Sequence, residues 1–144
     1  LGLEGLKEYI KTIGLYNSKA ENIIKTCRDL VEKHNGEVPE NREALEALAG
    51  VGRKTANVVL GELWNIREGI VVDTHVKRVS RRLGLATATD PTKVEAELKT
   101  VLPESFWILW NTRLMALGRT YCMAKAPNCA ACYLSDLCPK VGVE

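Results

Sequence analysis

With 144 residues, 46% of them hydrophobic and 26% charged, the chain has room for one domain or two small interlocked halves and the make-up of an ordinary globular protein. No apolar run approaches the roughly 20 residues that cross a bilayer, and no basic stretch followed by an apolar one opens the sequence, so neither a membrane span nor a secretory leader is expected. The net charge of +2 is too small to imply a nucleic-acid partner, but residues 1–50 carry 7 basic and 9 acidic side chains, 51–102 carry 9 and 6, and 103–144 carry 4 and 3, so positive charge gathers in the middle third.

The pattern reads as helix after helix, an all-α chain with almost no strand signal and no long repeat or flexible linker. Leu3, Leu6, Ile10 and Ile13 recur at helical spacing up to Gly14. Ser18 and Glu21 read as a capping box that opens a second helix. One face of that helix carries Ala20, Ile23, Ile24, Cys27, Leu30 and Val31, which makes Cys27 an expected core thiol. Asn35-Gly36 ends it, and Asn41 is expected to cap a short helix through Leu48.

Gly50-Val51-Gly52 then breaks the chain for only a few residues before a helix from Arg53 to about Trp64. Two glycines in so short a turn supply positive φ and let another backbone come close. The free N–H groups of residues 52–55 at the head of the next helix suit a phosphate oxygen. The segment is thus either a helix-hairpin-helix that grips a DNA backbone without reading its sequence, or an ordinary tight helix–helix turn. Lys54 stands in the first turn of the second helix. A cation there opposes the helix dipole, and burial would add a desolvation cost; both favour the neutral amine that a nucleophile must be.

Residues 65–72 read as a connector ending in Ile70-Val71-Val72. Asp73 follows, as an N-cap for a helix marked by Val76, Val79 and Leu83, or as a capping carboxylate that also faces a pocket. His75 reads as a packed or hydrogen-bonded residue. Lys77, Arg78, Arg81 and Arg82 form a contiguous basic stripe opposite the valines, consistent with either a solvated or a phosphate-contacting face. Asp90-Pro91 opens a helix with Val94, Leu98 and Val101 inward, and Pro103 separates it from the apolar stretch Phe106 to Leu117.

Four of the five cysteines lie within seventeen residues, spaced C-x6-C-x2-C-x5-C at Cys122, Cys129, Cys132 and Cys138. Tightly spaced cysteines in a reduced chain more often bind metal than pair as disulfides. A four-thiolate zinc site usually offers two C-x2-C knuckles, and only Cys129–Cys132 qualifies. A 4Fe–4S cluster accepts uneven spacing, and Cys138-Pro139 matches the Cys-Pro ending of ferredoxin-type runs.

Taken together, LAGVGRKTAN, VVDTHVKR and the cysteine tail resemble the endonuclease III family, the iron–sulfur branch of the helix-hairpin-helix DNA glycosylases; GLKEYIKTIGLYNSKAENIIKTCR is similar to it as well. The resemblance covers essentially the whole chain. It implies a helix-hairpin-helix glycosylase fold of two helical lobes, residues 1–70 with the hairpin and 71–144 with a C-terminal 4Fe–4S loop. It implies a bifunctional enzyme of base-excision repair, a DNA glycosylase removing oxidised pyrimidines and an AP lyase cutting at abasic sites through a lysine Schiff base. Lys54 is then the nucleophile and Asp73 the essential carboxylate. Gly50, Val51, Gly52, Arg53, Thr55, Lys77, Arg78 and Lys125 are expected to contact double-stranded DNA, and Cys122, Cys129, Cys132 and Cys138 to hold the cluster. A monomer, cytoplasmic and nucleoid-associated, is the implied setting.

The sequence departs from the family pattern at Ala49 (commonly proline), at Leu117 before Gly118-Arg119 (commonly histidine), and in the loop Met123–Asn128, whose one cation is Lys125. Family members also carry a further segment before the point matching Leu1, so the N-terminal part is expected to be missing and the first two helices to lack apolar partners. A non-catalytic DNA-binding module or inactive fragment, and a zinc-stabilised helical interaction domain, are the alternatives from other functional classes.

Overall fold

The computed structural model describes residues 1–143, and among them there is no strand. Seven α-helices follow in order: α1 Leu3–Ile10, α2 Tyr16–Lys33, α3 Arg42–Glu46, α4 Arg53–Trp64, α5 Thr74–Arg82, α6 Pro91–Val101 and α7 Trp107–Thr120. A single 3₁₀ turn, Glu104–Phe106, leads into α7. No described helix is long and apolar enough to cross a membrane. The chain divides into two compact units, Leu1–Ala56 and Asn57–Glu144; the division falls inside α4, ahead of the lobe boundary read from the sequence at 70/71.

In the first unit α1 packs beside α2. Helix α2 begins three residues earlier than the capping-box reading places it. Leu15 is its N-cap, with φ 59°, and Ser18 lies within the first turn, where its hydroxyl donates to the Leu15 carbonyl (3.1 Å) instead of accepting from the backbone. At the other end Asn35 and Gly36 take φ of 54° and 81°, and the Gly36 N–H donates back to the Leu30 carbonyl (2.9 Å), a left-handed stop of the kind the Asn-Gly pair predicts.

Cys27 is exposed, contrary to the core role expected of it. The reason is the face it sits on: its helical neighbours Ile23 and Val31 are 42% and 69% exposed, while Ala20 is fully buried. Asp29 is also buried on α2 and pairs with Lys33 one turn on (2.6 Å), so the lysine ammonium holds its carboxyl below the usual range. Asn41 caps α3 as expected, its Oδ1 accepting from the Ala44 N–H (2.8 Å), although the helix stops at Glu46 and not at Leu48.

The second unit is built around Ile70, Val72, Val76, Val79, Ala86, Val94, Leu98, Leu114 and Leu117. Helices α5 and α7 pack directly on each other. Each fully buried aliphatic side chain of this kind stabilises the fold by about 1.5–3 kcal/mol, so the core outweighs any single polar contact in the unit. Asp90 caps α6 with Pro91 at the first helical position, its Oδ1 accepting from Thr92 and Lys93 N–H groups (3.0 and 3.1 Å).

Val94 and Leu98 point inward from α6 as the periodicity predicts, but Val101 does not: it is 53% exposed. Glu95 is buried in addition, and its Oε1 accepts from the Ile70 N–H (3.2 Å) and the Asn57 amide (3.5 Å). Gly69 makes this possible, because a Cβ there would collide with the Glu95 carboxylate and with Asn57. A buried carboxylate needs such donors, and its pull on the connector fixes the backbone that runs into Asp73.

Candidate nucleic-acid interface and metal centre

Helix α3 closes at Ala47, the Leu48 N–H bonds Leu45 O and the Val51 N–H bonds Leu48 O (both 3.1 Å), and α4 starts two residues later. Gly50 makes this compact: it holds φ +75°, and a Cβ there would lie 2.8 Å from the Asn22 side-chain amide. Both of its properties are used, the left-handed backbone and the close approach. Helix α2 fastens the turn a second time, the Thr26 hydroxyl donating to the Ala49 carbonyl (2.9 Å). Asn22 and Thr26 were not legible as hairpin residues, because nothing local marks a polar residue that serves a turn 28 or 23 positions away.

The first N–H bond of the α4 ladder runs from Ala56 to Gly52 O (3.0 Å), so the amides of the preceding turn point out of the helix end. Arg53, Lys54 and Thr55 all have exposed side chains in that turn. Gly50, Val51, Gly52, Arg53, Lys54 and Thr55 therefore form one contiguous group in the first unit.

Asp73 stands in the second unit as the N-cap of α5: one carboxylate oxygen, Oδ1, accepts from the Val76 N–H (2.8 Å). The side chain is only half-buried, and its second oxygen makes no hydrogen bond to any described residue. The capping and pocket-facing readings are thus compatible in one residue.

The basic stripe on α5 splits in two. Lys77 and Arg81 carry side chains that bond to no described residue, whereas Arg78 and Arg82 reach across to the end of α7 and the cysteine loop. Arg78 donates to the carbonyls of Gly118 (3.0 Å) and Cys122 (3.1 Å) and to His75 Nδ1 (3.2 Å), which leaves the imidazole proton on Nε2. Arg82 donates to the Met123 and Ala124 carbonyls (2.6 and 3.2 Å) and approaches Cys122 Sγ (3.4 Å). A guanidinium suits this task, since its planar fork satisfies several carbonyls at once. Lys125 is exposed in the loop that Arg82 holds.

The four clustered cysteines line one recess with Arg82 and the apolar Val79, Leu83, Leu117 and Leu134, about 390 Å³ of atom-free space. Tight turns bring them there: Cys132 N–H bonds Cys129 O (3.2 Å), Ser135 N–H bonds Cys132 O (2.9 Å), and the Lys140 N–H points at Cys138 Sγ (3.4 Å). Among the described residues no three His, Cys, Asp or Glu side chains converge as ligands of one metal ion. Four sulfur donors beside an apolar lining are the donor set of a thiolate-held metal group, and Cys138 Sγ meets both the Lys140 N–H (3.4 Å) and the Arg82 carbonyl (3.3 Å).

A family model described as HhH-GPD superfamily base excision DNA repair protein matches residues 1–104. The chain is 61% identical over 138 residues to endonuclease III of Haemophilus influenzae and 56% identical to that of Escherichia coli, in each case 96% of this chain and 65% of the relative. It therefore spans about two thirds of the length of these curated relatives. Among solved structures it superposes with a TM-score of 0.89, at 45% identity, on a trapped endonuclease III–DNA covalent intermediate, covering 97% of this chain and 66% of that one. On a thermostable thymine-DNA glycosylase the TM-score is 0.84 at 26% identity, covering 98% and 66%. With its hairpin, its all-helical architecture and these matches, the chain belongs to the HhH-GPD superfamily of base excision DNA repair proteins.

Proposed function

We propose that this chain carries the chemistry of a DNA glycosylase and AP lyase acting on duplex DNA with oxidised pyrimidines or abasic sites. The observation that carries the reading is Lys54 in the exposed first turn of α4, directly after a hairpin whose Gly50 lies against Asn22. The amides and side chains of Gly50, Val51, Gly52, Arg53 and Thr55 would seat a backbone phosphate, with Lys77, Arg78 and Lys125 adding positive charge. Arg78 would contribute mainly field, because its donors already serve carbonyl oxygens.

In this reading the damaged nucleotide leaves the base stack. The Lys54 amine attacks C1′ of its sugar, the bond from C1′ to the base breaks, and the base departs with that electron pair. The nitrogen loses one proton to give an aminal at C1′; its lone pair then breaks the C1′–O4′ bond of the sugar ring, O4′ takes a proton, and a protonated Schiff base remains. That cation acidifies the C2′ hydrogen; its loss drives β-elimination, in which the C3′–O bond breaks and the 3′ phosphate leaves. Water then hydrolyses the imine and regenerates Lys54. Asp73, with an oxygen left over from its capping bond, would stabilise positive charge on the sugar or accept the lysine proton. Cys122, Cys129, Cys132 and Cys138 would hold a 4Fe–4S cluster, which when bound supplies a covalent clamp for the loop and no step of the cleavage.

The test is borohydride trapping on abasic-site duplex. Wild-type chain should form a covalent protein–DNA adduct that Lys54→Ala does not. No adduct with wild type would overturn the lyase reading, and salt-sensitive duplex binding without trapping would place the chain among non-catalytic DNA-binding modules.

A further inference from the structure

Helix α5 carries its four cations as two pairs one turn apart, Lys77 with Arg81 and Arg78 with Arg82. Like charges at that spacing repel and weaken a helix unless something takes them up. The second pair is taken up by carbonyl oxygens, which fix the guanidinium groups without cancelling their charge. None of the four cations is in an ion pair with a described residue.

The four residues line one solvent-open recess, about 770 Å³ of atom-free space, together with Ala88, Thr89, Val141 and Gly142. No acidic side chain among the described residues lines it. The Val141–Gly142 stretch is built in: the Val141 N–H donates to the Arg82 carbonyl (3.1 Å), and Lys140 and Gly142 hold φ of 54° and 67°. A concave lining of uncompensated charge concentrates the field, two of its cations are held rigidly, and two are free to close on a ligand. Such a set, with Thr89 in the same lining, matches an anion with several oxygen acceptors and more than one negative charge.

We propose that this recess is a phosphate-binding site in which Arg81 and Thr89 join Lys77, with Arg78 and Arg82 as fixed charge behind them. The phosphate is one in a nucleic-acid backbone or one of a free polyphosphate. All of these residues lie in the second unit, and the site does not depend on the lysine chemistry.

The experiment titrates the whole chain with inorganic pyrophosphate and follows backbone amide shifts and heat. Saturable shifts at Thr89, Val141 and Gly142 are expected, with affinity lower by about tenfold or more in Arg81→Glu and unchanged in the control Lys93→Glu. Thr89→Val should weaken binding in the same direction without altering charge. No saturable shift at these amides, or equal weakening by Arg81→Glu and Lys93→Glu, would overturn the site. Displacement of pyrophosphate by undamaged duplex would identify the phosphate as nucleic-acid backbone, and retention in the presence of duplex would identify a free polyphosphate. Failure of borohydride trapping leaves each of these results unaffected.

Discussion

The Arg78 guanidinium lies so close over Gly118 that a Cβ at residue 118 would be 2.9 Å from Arg78 Nη2, the same nitrogen that donates to the Gly118 carbonyl at 3.0 Å. The His75 ring is equally near, with Nδ1 2.9 Å from that position. Helices α5 and α7 therefore meet through a charged side chain bonded to backbone, at a point where any side chain on α7 is in the way. Arginine is flexible, but this one is pinned by three acceptors and cannot yield without losing them.

Gly118→Ala should consequently destabilise the protein by about 0.5–2 kcal/mol. The lost hydrogen bonds from a charged donor, about 1.5–3 kcal/mol, exceed the gain of about 1 kcal/mol from replacing glycine in a helix. Denaturant unfolding of Gly118→Ala, Arg78→Ala and the double variant checks this. The two changes should be strongly non-additive; full additivity would show that they act separately.

At the hairpin, Gly50→Ala should cost about 1–3 kcal/mol, from left-handed strain at φ +75° and from contact with Asn22. Adding Asn22→Ala should recover only part of this, because removing the neighbour relieves the collision and not the backbone. Complete recovery in the double variant would mean that the φ of residue 50 is not constrained.

Asp73→Asn keeps an oxygen for the Val76 N–H and should leave stability within about 0.5 kcal/mol, since asparagine caps as well as aspartate. Asp73→Ala should lose about 1 kcal/mol in the same unfolding assay. If the carboxylate acts in the chemistry, both should depress borohydride trapping by about tenfold or more. Trapping that follows stability alone, intact in the asparagine variant, would reduce Asp73 to a cap.

Cys122 and Cys132 pack against the core of the second unit while they line the cysteine recess, so that recess and the core are one structure. Anaerobically purified protein should contain iron and acid-labile sulfide in equal amounts. Cys132→Ser should lower both and reduce the thermal midpoint of the second unit. Stoichiometric zinc with no sulfide would show that the thiols hold a single ion instead.

Glu97 accepts from the Thr87 and Ala88 N–H groups (2.7 and 3.2 Å), and these bonds hold its carboxyl below the usual range. A carboxyl depressed in the folded state stabilises fully above its unfolded value, about 4.3, and that contribution fades as pH falls through the lower folded value. Glu97→Gln should therefore lower the melting temperature at neutral pH and make less difference in acid. An equal loss at all pH values would indicate that charge is not involved.

Much of this molecule is written locally. The bounds of α4, the Asn41, Asp73 and Asp90 caps, the Asn35-Gly36 stop and the gathering of four cysteines all follow from residues within a turn or a short loop of one another. Helix ends and tight turns are settled by nearby hydrogen bonds and φ preferences, which a single sequence displays. Ser18 is the local exception, because Leu15 begins the helix first.

What the sequence left open are the partners of side chains. Nothing near Arg78 says that its two carbonyl acceptors are 40 and 44 residues on, that Cys27 and Val101 face outward, or that Glu95 is buried against Gly69. A stripe of four cations looks uniform on a helical wheel. Only the packing of α5 against α7 turns two of them into structural bolts and leaves Lys77 and Arg81 to look outward, because burial and pairing are properties of the assembled surface and not of the helix that carries them.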